Sequence, residues 1–305
     1  VRVLRNRQAF MSPRVETSID RQCSLLPVGG RLGTAQYGHP DGRPIFYFHG
    51  LPGSRLEASL AGRVANDLGV RIVSFDRPGM GLSPFRRERK ISDISFDAEH
   101  LADALGIGQF SVLGVSGGAP YALACGIRLR ERVTRIGLAC PAGPFADRRY
   151  RSVLDRKLNI ALFLAVHAPS WFGRLLRKGS RYMMSDPEGF LLRMAGHAGS
   201  PDREVILANR SLLSANLREA FRDGEAGAVR DAELLFQPWG FQPSETAQSV
   251  FLWHGGRDRT IPQGVGIRLS EEIPRCRSFF PRDEGHFSLP IGRAREIFST
   301  LAMGT

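Results

Sequence analysis

The chain predicts an α/β fold: a mostly parallel sheet with helices on both faces and a helical block inserted before the last strands. Three observations carry this. Short apolar runs at 45–48, 70–75, 110–115 and 133–140 alternate with stretches of helical spacing. Such alternation implies parallel neighbours, because parallel strands need crossover connections. The alternation then stops, and residues 145–235 read as amphipathic, Arg-studded helices with Gly and Pro interruptions. It resumes at 250–253 and runs to the end of the chain, so the helical block interrupts one sheet rather than following it.

Taken in order, residues 1–27 show no strong periodicity and read as a loosely attached arm. GRLGTAQY at 30–37 reads as a strand, followed by the turn cluster GHPDG at 38–42. IFYF at 45–48 is continuously apolar, as a strand buried on both faces requires, and ends at His49-Gly50. A second such strand at 70–75 is closed by Asp76-Arg77-Pro78-Gly79. Residues 92–105 have helical spacing, with Ile94, Ala98, Leu101 and Leu105 on one side. A strand at 110–115, an apolar helix at 119–129 and a strand at 133–140 complete the first part. After the insertion come strands at 250–253 and around Phe279-Phe280, then a last helix over 290–302. The expected domains are a core from 1–145 and 236–305, and a helical cap from 146–235.

Composition excludes several classes. The apolar fraction of 42% and charged fraction of 24% are those of an ordinary globular chain, so overall disorder is excluded. No stretch approaches the roughly 18 apolar residues of a membrane span; the nearest, 160–172, holds His167 and Pro169. The basic start lacks the apolar segment and cleavage site of a signal peptide. The net charge of +12 invites a nucleic-acid partner. Yet all but Lys90, Lys157 and Lys178 of the 42 basic residues are Arg. That uniform bias fits codon usage better than a selected patch. The basic concentrations at 86–90 and 148–181 read as solvated faces, with no base-reading geometry and no zinc-finger spacing. Cys23, Cys125, Cys140 and Cys276 form no CxxC pair and no disulfide framework, which points to a reducing compartment and a cytoplasmic protein.

The strongest chemical signal is Gly114-Val115-Ser116-Gly117-Gly118, between the strand at 110–115 and the helix from Ala119. A Ser on a sharp strand-to-helix turn presents its hydroxyl out of the sheet, and the glycines let strand and helix close up around it. The helix N-terminus behind it favours negative charge at the reacting centre. A serine nucleophile needs a base. His286, in Asp283-Glu284-Gly285-His286-Phe287, is the candidate. His49 and His254 end strands and read as structural; His39, His100, His167 and His197 have no motif around them. The base needs an acid to hold its tautomer. Asp258, just past the strand at 250–253, is favoured over Asp283, which is close in sequence but not aimed at the ring by that alone. The oxyanion needs donors. The Gly117 N–H is one. The loop His49-Gly50-Leu51-Pro52-Gly53 supplies the other through Leu51, since Pro52 has no N–H.

These segments resemble the serine α/β-hydrolase family with an inserted helical cap. The matching stretches are FHGLPGSR at 48–55, FDRPGMGLS at 75–83, LGVSGGAPYALA at 113–124, LWHGGRDRTIP at 252–262 and EGH at 284–286. PWGF at 238–241 resembles the re-entry from the cap. The resemblance covers about 30–145 and 236–303 and leaves the cap unmatched. It implies the α/β-hydrolase fold, with a mostly parallel sheet of the eight-stranded type, and a Ser116, Asp258, His286 triad in that chain order. Asp76 and Arg77 fit the family's strand-end turn, as structural residues. Ser at 116 disfavours the dehalogenase and epoxide-hydrolase branches, which attack through a carboxylate. The absence of Trp-Gly after the nucleophile puts the proline iminopeptidase branch in doubt.

The expected function is hydrolysis of an ester or related acyl bond of a small, mainly uncharged, apolar substrate, through an acyl-enzyme, with no metal or organic cofactor. Carbon–carbon or aminopeptidase-like amide hydrolysis on the same triad, and a non-catalytic binding module of the same fold, are the alternatives. The expected partner is a small molecule, not nucleic acid, and no stable membrane insertion is expected. The sequence names neither substrate-binding residues nor oligomeric state. The cap's apolar residues, among them Phe163, Trp171, Phe190, Leu191 and Met194, are expected to pack the cap and to leave a face roofing the site.

Overall fold

The computed structural model describes residues 19–25 and 31–303. Eight strands form one sheet: β1 (Ile19–Leu25), β2 (Arg31–Gly38), β3 (Arg43–Phe48), β4 (Val70–Phe75), β5 (Phe110–Val115), β6 (Val133–Ala139), β7 (Ser249–Trp253) and β8 (Cys276–Phe279). Their spatial order is β1-β2-β4-β3-β5-β6-β7-β8. From β4 to β8 all pairings are parallel, while β1 with β2 and β2 with β4 are antiparallel.

β5 sits in the middle because every one of its residues is buried; no polar face asks for water. Phe46 packs on Phe110 with its ring tilted by 30° and 4.2 Å between centroids, tying β3 to β5 across the register Phe46 to Val112. Helices cover both faces. α2 (Ile94–Ala104) and α3 (Ala119–Arg128) join the core that contains Phe46, Phe48 and Val112, whereas α1 (Gly62–Asp67) and α12 (Ala294–Ala302) pack on the core that contains Ile45, Tyr47 and Trp253. The alternate burial of Ile45 and Tyr47 on one face, and Phe46 and Phe48 on the other, is the period-two consequence of a strand covered on both sides. α10 (Gln263–Glu272) connects β7 to β8, and α11 (Ser288–Gly292) leads from β8 to the C-terminal helix.

Between β6 and β7 lie six helices: α4 (Arg156–His167), α5 (Pro169–Ser185), α6 (Pro187–His197), α7 (Ser200–Ala208), α8 (Arg210–Ala220) and α9 (Ala226–Leu235). Their starts are locally written: Asp155 accepts from the Leu158 N–H and Asp186 from the Gly189 N–H, each at 2.8 Å, and Pro169, Pro187 and Pro201 stand in first turns. Among the described residues no helix is long and apolar enough to cross a membrane.

The arm reading for residues 1–27 is corrected in part. Residues 19–25 pair with β2 as an edge strand. An edge strand is held through backbone bonds on one side only, so it needs no long apolar run to signal it. The rest of that reading, 1–18 and 26–27, and the predicted strand start at Gly30 lie outside the described residues. The single helix expected at 290–302 is two, α11 and α12, meeting at Arg293.

Candidate active site

Ser116 stands where β5 gives way to α3, with φ at +52°. A non-glycine residue pays a steric cost there, and the tight turn is held by close neighbours that admit no side chains. A Cβ on Gly114 would lie 2.7 Å from the Ala119 Cα and from the Gly118 carbonyl oxygen. One on Gly118 would overlap the Phe48 carbonyl. The glycines therefore let β5, α3 and the β3 end converge on the serine.

Two further elements bring their residues to it. His286 Nε2 is 2.9 Å from Ser116 Oγ, and His286 Nδ1 is 2.7 Å from Asp258 Oδ2. Asp258 follows β7; its Oδ1 accepts from the Thr260 and Ile261 N–H groups, both at 2.8 Å. His254 Nε2 lies 3.0 Å from the Ile261 carbonyl oxygen and 3.3 Å from Asp258 Oδ2. Burial pushes the Asp258 carboxyl up, but the charge of His286 and hydrogen bonds from His254 and His286 outweigh it and hold the acid far below its usual range. An ionised carboxylate only accepts, so His286 Nδ1 carries the proton and Nε2 is left to accept from the Ser116 hydroxyl. Burial alone would lower the His286 pKa; Asp258 first, then Asp202 and Glu57, reverse this and leave it raised.

Asp283 is elsewhere: its carboxylate is exposed and 2.8 Å from Arg257. Leu51 and Gly117 meet. A Cβ on Gly117 would be 2.8 Å from the Leu51 Cβ and 3.5 Å from the Leu51 nitrogen, so the two backbone segments flank one space. A Cβ on Gly50 would be 3.7 Å from the Ser116 Cβ. His49 is fully buried, its Nδ1 2.9 Å from the Gly50 carbonyl oxygen and its Nε2 accepting from the Arg77 N–H at 3.4 Å. The first contact braces the loop after β3, and the second ties it to the residues that follow β4.

Four features were not anticipated from the sequence. Glu57 Oε1 accepts from Tyr47 Oη at 3.0 Å and from the Gly50 N–H at 2.9 Å, and burial raises its pKa. Asp231 on α9 gathers Arg77, Arg89 and Tyr121; Arg77 in turn donates to the His49 and Gly50 carbonyls. Asp202 on α7 accepts from three backbone N–H groups of the His286 loop. Cys140 lies beside Asp258, with Cys140, Asp258 and His286 donor atoms all within 4.8 Å. Burial and the Asp258 charge keep that thiol protonated, and Asp258 already holds the imidazole, so this trio is poorly set to take a metal ion. Nothing in the local sequence signals these pairings, since their partners lie 7 to more than 140 residues away.

A cavity of about 290 Å³ opens on Ser116 and His286. Its apolar walls include Leu51, Leu217 and Phe287, and α6 supplies Phe190, Leu191 and Met194. Of the other apolar residues of the inserted helices, Leu162 and Phe172 are buried in the core, while Phe163 and Trp171 face solvent.

Residues 43–292 match the family model of the alpha/beta hydrolase fold, and the chain belongs to that family. Over 99 residues it is 35% identical to a proline iminopeptidase of Neisseria gonorrhoeae; that match spans 32% of this chain and 32% of the peptidase, about a third of either. It is 27% identical over 289 residues to a 2-hydroxymuconate semialdehyde hydrolase of Pseudomonas putida, covering 91% of each. Among solved structures, an esterase from Exiguobacterium antarcticum superposes with a TM-score of 0.68 at 17% identity, over 91% of this chain and 96% of the esterase. Epoxide hydrolase A from Mycobacterium thermoresistibile gives 0.69 at 16% identity, over 94% and 97%. At such identities the likeness is one of fold.

Proposed function

We propose that the protein is a serine hydrolase of the carboxylesterase kind, acting on a small, mainly uncharged, apolar ester in a reducing cytoplasm. The observation that carries this reading is the unbroken hydrogen-bonded chain from Ser116 through His286 to Asp258 at the floor of an apolar cavity. Ser116 Oγ attacks the acyl carbon as His286 Nε2 takes its proton. The N–H groups of Leu51 and Gly117 hold the developing oxyanion. The imidazolium, stabilised by Asp258, gives its proton to the leaving oxygen, and the acyl group stays on Ser116. Water, deprotonated by the same ring, then releases the acid. Residues 146–235 act as the cap, with Phe190, Leu191 and Met194 on the side of the bound acyl or alcohol group. Apolar walls exclude water from the reacting atoms.

A second reading has a specific observation behind it. The relative matched over 91% of its length is named for cleaving a semialdehyde, a carbon–carbon bond hydrolysis that the same serine, histidine and aspartate can serve. A panel of p-nitrophenyl esters of graded chain length, run beside 2-hydroxymuconate semialdehyde and prolyl p-nitroanilide, separates the readings. Medium-chain or aromatic esters should be turned over faster than acetate, and Ser116→Ala should abolish this. Turnover of the semialdehyde alone would replace the ester reading. So would turnover of the prolyl amide alone.

A further inference from the structure

The loop that carries His286 is not held by the core alone. Asp202, in the first turn of α7, is 5% exposed, and its carboxylate accepts from the His286 N–H at 2.9 Å, the Phe287 N–H at 2.9 Å and the Ser288 N–H at 2.8 Å. Three backbone donors on one buried carboxylate make a strong, directional fixture. The loop is fitted to it: a Cβ on Gly285 would overlap the Asp202 carboxyl, so only glycine lets the chain pass. On the loop's far side the Gly285 N–H donates to Ser288 Oγ at 2.8 Å and the Cys140 thiol reaches the Gly285 carbonyl. α7 belongs to the helices inserted between β6 and β7, and α6, which packs against it, lines the substrate cavity.

We propose that Asp202 is a positioning residue through which the inserted helices set the catalytic histidine: the loop from Gly285 to Ser288 adopts its working geometry when α7 is seated on it. This rests on the Ser116, His286 and Asp258 reading above. The substrate wall on α6 and the base on the loop are thereby joined, so displacement of the cap disarms the base in the same movement. Asp202 also adds negative charge near His286. The groups facing that ring are Ser116 from the end of β5, Asp258 and, behind it, His254 from the end of β7, Cys140 from the end of β6, Glu57 from the turn after β3, and Asp202 from α7.

The test is fluorophosphonate inactivation of the full chain across pH, with amide hydrogen exchange read in parallel. Asp202→Asn keeps the size, but if its carbonyl serves Phe287 and Ser288, its NH2 faces the His286 N–H, donor against donor. The inactivation rate at high pH should fall about 10- to 100-fold, the cost of a slightly misplaced base. The low-pH limb should move to lower pH, because one of the carboxylates favouring the imidazolium has gone. Exchange should accelerate at 286–288 and not in β5. Gly285→Ala pushes the clamp apart from the other side while keeping every charge. It should accelerate the same amides and slow inactivation, with a smaller movement of the limb. Wild-type pH limb and wild-type exchange at 286–288 in Asp202→Asn would overturn the proposal. So would exchange that rises equally in β5, which would make Asp202 a general stability residue. Ser116→Ala separates the two readings. If wild type labels, Ser116→Ala does not, and Asp202→Asn behaves as wild type, the clamp alone fails. If wild type does not label, the hydrolase reading fails and the clamp with it.

Discussion

Replacing Asp231 by Asn would remove the carboxylate around which two buried arginines, Arg77 and Arg89, are arranged. Asp231 is 1% exposed. Its Oδ2 is 2.6 Å from Arg77 Nε, and its Oδ1 accepts from Arg89 and, at 2.7 Å, from Tyr121 Oη. Burial pushes the acid up, but Arg77, Arg89 and the hydrogen bonds of Tyr121 and Arg89 hold it at about 2, against an ordinary 3.8. That depression favours the ionised form in the native state, on the order of 2 kcal/mol. The sign is that of a lowered acid: the contribution is complete above the unfolded value and lost as pH falls through the folded one. Asn retains the shape and loses the charge, leaving two guanidiniums buried without a counterion, which costs about 3–5 kcal/mol. For 305 residues, at about 2.1 cal/mol/K of unfolding entropy per residue, the melting temperature should fall on the order of 5–8 °C. Urea and thermal unfolding followed by circular dichroism at pH 7 read this directly. Arg77 also donates to the His49 and Gly50 carbonyls, so ester turnover should fall even well below the new melting point. A variant melting within about 2 °C of wild type, with full turnover, would refute the reasoning that this cluster is a buried, charge-compensated brace for the loop at His49 and Gly50.

Three other outcomes are expected. The pH profile of kcat/KM should fall toward acid with an apparent pKa above the ordinary histidine value of 6.5, because His286 must be neutral to accept the serine proton and its carboxylate neighbours raise its pKa; a profile flat below pH 5 would remove His286 from that role. Asp258→Asn should lower kcat by several orders of magnitude, roughly 10⁴ in the comparable protease triad, while Asp283→Asn leaves kcat within about twofold; the reverse pattern would reassign the acid. Gly118→Ala should yield little folded protein, since its methyl overlaps the Phe48 carbonyl at the junction of β3 and α3; a soluble, fully active variant would contradict that packing.

The sequence by itself determined the order of elements and the motif residues. The buried strands announce themselves as continuous apolar runs, because a strand covered on both faces has no solvent side to keep polar. β4 was placed to the residue, and β5 and the turn after it likewise. Ser116, Asp258 and His286 stood out as candidates because a sharp turn or a strand end restricts which residue types fit, and the fold brings their side chains within hydrogen-bond reach; Leu51 and Gly117, singled out as candidate donors, lie beside each other. Tertiary structure alone decided the antiparallel edge strand β1, which is held by backbone bonds that carry no side-chain signature. It also brought Asp258, the acid the sequence favoured, to the histidine from 28 residues away, and left Asp283, three residues away, on Arg257. The same holds for Asp202, Glu57 and Asp231. Each is an ordinary acidic residue in its own helix or turn, and each acquires its role from a partner on another element. Local chemistry is written in the chain, whereas a buried carboxylate's partner is chosen by where the packed layers bring distant donors together.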